Sequence, residues 1–147
     1  MKKKVLDRRT FLIRGIGAAA LGALGCGPGE SAKAASASRT TDSNGGGFTV
    51  AFEPLRPSIP MNEIFDLRFT VAPKAKEGKT DDLSVQVDAR MPAHGHGMNR
   101  VPKLTRQGDG SYKAEGMLFH MPGHWELYFD ITQGGKTERA QFDVDLK

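Results

Sequence analysis

His94, Gly95, His96, Gly97 and Met98 place two imidazoles and a thioether at alternate positions, with glycine between them. Farther along, His120, Met121 and His124 repeat the same two side-chain types around Pro122 and Gly123. Imidazole nitrogen and thioether sulfur together make a borderline-to-soft donor set. Such a set suits copper better than calcium, magnesium or manganese, and Met98 and Met121 favour copper over zinc or nickel. Thioether prefers Cu(I) and imidazole serves both oxidation states, which fits copper held for transfer. In an extended segment His94, His96 and Met98 point to one side, and the glycines let the backbone wrap closely. His94, His96, Met98, His120 and Met121 are therefore the candidate ligands, with His124, Met61 and Met91 as outlying ones. A plainer reading stays open. The glycine-spaced histidines also make a polar turn, Met91 and Met117 suit a core, and 120–124 suits a corner that launches Trp125 inward.

Positioning these residues requires strands. From Phe48 onward apolar residues recur every second position, the pattern of half-buried strands. Such runs cover 48–52, 65–71, 83–91, 111–118, 125–131 and 140–146, with a weaker one at 101–106. Turn residues punctuate them, notably 107–110 and Gly134-Gly135. The pattern predicts an all-β chain: an immunoglobulin-like antiparallel β-sandwich of about seven strands, with Trp125 as a large core anchor. If every connection reverses direction, alternate loops gather at one pole. The loop after the first strand (with Met61), the stretch 91–98 and the stretch 117–124 then share that pole. Copper binding depends on this convergence.

The charges sort by region. The chain has 147 residues, 21 Lys+Arg and 17 Asp+Glu. Six of the basic residues and one acid lie in 1–25, leaving 15 basic and 16 acidic residues in the other 122. A net of −1 gives the folded part no surplus for phosphates, so nucleic acid is not an expected partner. The lone Cys26 excludes an intramolecular disulfide and a Cys-rich zinc site.

The first residues read as an address. Residues 11–25 carry one charge, Arg14, and are too short to span a bilayer, but they fit the apolar part of a secretory signal. Arg8 and Arg9, one spacer before Phe11-Leu12, resemble a twin-arginine export signal. The small residues before Cys26 resemble a lipoprotein box, in which that thiol is acylated and tethers the chain to a membrane. The expected organisation is a signal over 1–25, a flexible linker over 26–46 and the folded domain over 47–147. Localisation is then the cell envelope, the domain facing the periplasm or exterior.

The segments 91–98, 108–112 (Gly-Asp-Gly-Ser-Tyr) and 117–125 together resemble the YtkA-like domain, related to the FixH-like proteins. The resemblance implies a small exported β-sandwich and little about activity, though FixH-like members are associated with cation pumps and cytochrome oxidase assembly. An enzyme is not expected: no Ser or Cys nucleophile has an evident His/Asp partner, and there is no Gly-rich phosphate loop. Two functions compete. One is a lipid-anchored copper-binding or copper-delivery protein with a copper-receiving partner. The other is a metal-free binding or structural module at the envelope.

Overall fold

The computed structural model describes residues 39–75, 80 and 82–147. Nine strands account for nearly all regular structure among them: β1 (Arg39–Asp42), β2 (Phe48–Pro54), β3 (Phe65–Pro73), β4 (Ser84–Met91), β5 (His96–Gly97), β6 (Lys103–Arg106), β7 (Tyr112–Met117), β8 (Gly123–Gln133) and β9 (Lys136–Leu146). A single 3-10 turn, Pro92–His94, separates β4 from β5. The strands form two antiparallel sheets, ordered β1-β2-β3-β7-β6 and β5-β4-β8-β9. Without β1 and β5, this is the arrangement of a seven-stranded immunoglobulin constant-type sandwich. The expected fold class holds.

Alternation builds the core. Val50, Phe52, Leu67, Phe69, Ala89, Leu127, Phe129, Ile131, Ala140 and Val144 turn inward from facing sheets and are fully or almost fully buried. Phe69 meets Phe129 at 4.8 Å between ring centroids, and Phe52 meets Phe142 edge-on at the same distance. Trp125 is completely buried and stacks on Phe119 at 4.8 Å. Its indole N–H donates to the Met121 carbonyl at 3.0 Å, which satisfies the one polar atom this anchor carries inside.

Strand direction gathers the connections as expected. The 55–64, 92–102 and 118–122 connections share one pole, because β2, β4 and β7 all end there. The turns 43–47, 107–111 and 134–135 share the other. The strand β1 also starts at the first pole, since Arg39 lies opposite Phe52 and Asp42 opposite Thr49.

Residues 39–46, assigned by composition to the linker, belong to the sandwich. The polar β1 is held by backbone pairing with β2 and by its far end, not by an apolar face. There Ser43 Oγ donates to Glu138 Oε2 at 2.7 Å, and the Gly47 N–H donates to the same oxygen at 2.9 Å. A Cβ on Gly45 would lie 2.3 Å from the Glu138 carboxyl carbon, so this glycine run allows close packing against a carboxylate. Cys26, Arg8 and Arg9 lie outside the described residues.

Candidate metal centre

Two connections build the site. After Met91 the chain makes its 3-10 turn and reverses at Gly95, whose φ of 67° is a left-handed conformation suited to glycine. The reversal folds His96 and Gly97 back to pair with Met91 and Arg90 as β5. Next, the Met98 N–H donates to the Ala89 carbonyl at 2.9 Å. A Cβ on Gly97 would come within 2.9 Å of that same oxygen. The segment 94–98 is thus a tight hook, not an extended run that would point His94, His96 and Met98 to one side. It leaves His94 exposed and His96 half-buried, their ring centroids 5.8 Å apart.

The second connection follows β7. Phe119 is buried on Trp125, which sets the next residue, His120, at the core's rim. The His120 ring centroid lies 5.1 Å from that of His96, the planes 31° apart. Both rings meet Trp125 in edge-type contacts, at 5.4 Å for His120 and 6.1 Å for His96. His96 Nδ1 and His120 Nδ1 are closed off from solvent and have no hydrogen-bond partner; among the described residues they are the two such side-chain atoms. A buried polar atom without a partner costs about 1–3 kcal/mol. A neutral imidazole protonated on Nε2 presents at Nδ1 a lone pair, the form in which histidine binds a metal.

The other candidates separate. Met98 and Met121 are half-buried and packed against the core beside these connections. Met98 also lines a groove of about 660 Å³, with Val85, Val87, Arg100, Val101 and Leu104 among its walls. Met61 is exposed on the 55–64 loop, which is held to the second connection by the Asn62 N–H donating to the Phe119 carbonyl at 2.7 Å. Met91 is a core residue, 1% exposed, and its Cε would lie 2.9 Å from a Cβ on Gly123.

His124 belongs elsewhere. Strand alternation turns Trp125 inward, so His124 faces outward on the second sheet. There its Nδ1 lies 3.0 Å from Asp145 Oδ1 and its Nε2 3.6 Å from Asp143 Oδ1. The hydrogen bond its ring donates to Asp145, then the charges of Asp145, Asp143 and Glu126, raise its pKa above the usual 6.5. His124, Glu126 and Asp143 are the described group of three His, Cys, Asp or Glu residues whose ligand atoms lie within 4.8 Å of one another. This acidic setting for His124 was missed in the sequence, although the Gly134-Gly135 turn sets the register that pairs His124 with Asp145 and Glu126 with Asp143.

The hook and the corner thus bring His94, His96 and His120 into one row of rings, with two half-buried methionines nearby. Residues 41–130, which include both connections, match the family described as YtkA-like. No curated protein and no solved structure matches the chain.

Proposed function

The chain belongs to the YtkA-like family, and from that premise we propose that it is a lipid-anchored extracytoplasmic protein that binds copper and holds it for delivery. The observation that carries this reading is the pair of adjacent imidazoles whose buried Nδ1 atoms lack partners. His96 and His120 are the principal ligands, exposed His94 is the point of entry, and Met98 and Met121 are the soft donors favouring copper. Export through the signal containing Arg8 and Arg9, and acylation at Cys26, put the site in a compartment where thiolates tend to oxidise and thioethers are the more durable soft ligands. We read it as a carrier rather than an enzyme, since the ring contacts of the site are to one another and to Trp125.

The test is titration of the chain with Cu(I) and with Cu(II), read by quenching of its single tryptophan and by chelator competition. One copper per chain is expected. Losing the supporting partner of a metal ligand costs roughly 10- to 100-fold in affinity, so His96→Ala/His120→Ala, which removes two ligands, weakens binding by at least that factor. His124→Ala leaves it unchanged. Equal affinity in the double variant and the parent rejects the site and leaves the metal-free binding module.

A further inference from the structure

The four exposed large apolar residues among those described are Leu55, Met61, Ile64 and Val101, and all four lie at the pole that carries the imidazoles. Val101 is 96% exposed. The connections 55–64, 92–102 and 118–122 hold only three charged residues, Arg56, Glu63 and Arg100, and the first two pair with each other at 3.0 Å. Around them Asp66 and Glu115 share one cation, Lys113, and Asp145 contacts His124. Arg100 and Lys103 flank Val101 and are exposed, Lys103 standing opposite Glu115 in the β6–β7 ladder. Pro57, Pro60, Pro92, Pro102 and Pro122 stand in the same connections, each removing a backbone N–H that would otherwise be desolvated.

We propose that this pole docks on a lipid bilayer, Leu55, Met61, Ile64 and Val101 entering the headgroup–acyl boundary while Arg100 and Lys103 meet anionic headgroups. Apolar side chains beside a basic rim are the composition that binds at that depth. Covalent reach supports the same occupant. Twelve residues separate Cys26 from Arg39, thirteen Cα steps that span at most about 47 Å, and Arg39 enters the sandwich at this pole, so the tether joins the body on the side that docks. The proposal rests on the lipid anchor at Cys26 and is independent of copper. Its consequence is that cargo at His96 and His120 faces the membrane, so the receiving partner is a membrane-embedded protein.

The test uses the full chain reconstituted in vesicles of phosphatidylethanolamine and phosphatidylglycerol, without metal. An environment-sensitive fluorophore is attached to Ile64→Cys, Val101→Cys or, at the far pole, Gly108→Cys, and mass spectrometry reads the acyl state of Cys26. The expected result is a blue shift at 64 and 101 and none at 108. No shift at the tip with Cys26 acylated overturns the docking alone and points to a protein partner. A tip shift without acylation overturns the anchor alone, and no shift without acylation overturns both. Equal shifts at all three positions, or a concentration-dependent tip shift without vesicles that marks a second copy, also overturn the docking.

Discussion

At His96 and His120 a binding site and a folding liability coincide. Each ring brings one nitrogen out of water without a partner, and removing a polar group from such a position recovers about 1–3 kcal/mol of desolvation penalty. His120→Phe keeps a planar ring against the edge of Trp125 while removing that nitrogen. The metal-free chain carrying it is expected to gain about 1 kcal/mol in denaturant unfolding while losing copper binding. A net loss of stability would show that His120 Nδ1 carries no penalty. His124 is the contrast, because its nitrogens face carboxylates. Its NMR titration should give a pKa above 6.5, moving down in Asp145→Asn. Because the folded value is raised, its contribution to stability is full below pH 6.5 and lost as pH rises through the folded pKa.

At the scale of elements, β5 works by closeness of backbone. Gly97 sits where a Cβ would press on the Ala89 carbonyl, which is backbone and cannot rotate away. Gly97→Ala should therefore part β5 from β4: the Met98 amide exchanges its hydrogen faster and copper affinity falls, while protection in β8 and β9 is retained. Unchanged exchange at Met98 would mean that the hook tolerates the methyl group. These contacts also show what the sequence exposes. Alternation in 65–71, 125–131 and 140–146 announces strands because one face of each is apolar, and parity of direction then places the histidine connections together. The polar β1 has no such signature, being held by ladder bonds and by Glu138, 95 positions from Ser43. The two-residue β5 is too short for any period, so nothing in the spacing of 94–98 announces the hook. His124 counts among the outlying candidates by spacing alone, because spacing along the chain ignores which face of β8 a side chain takes.

The molecule divides its labour between its ends. One pole carries imidazoles, thioethers and exposed apolar side chains, while the other carries the knot that fastens β1 to β9. In that knot Lys136, Ser43 and the Gly47 N–H, in that order, hold the Glu138 carboxyl down to about 2 from its ordinary 4.5. The Glu138 side chain is also 8% exposed and has Gly45 and Gly47 pressed upon it. A depressed folded pKa means that the unfolded chain takes up the proton first. The knot's contribution is therefore complete above pH 4.5 and lost as pH falls from there towards 2. Glu138→Gln should lower stability at pH 7 and flatten the dependence of unfolding free energy on pH across that window. Since the knot lies a full strand length from His96 and His120, energetic coupling between the two is expected to be small. Copper affinity at pH 7 should be the same in Glu138→Gln as in the parent, measured well below the denaturation midpoint. A parallel fall in affinity and stability would mean that the poles are coupled through the sandwich, and that edge closure by β1 sets the spacing of the imidazoles at the other end.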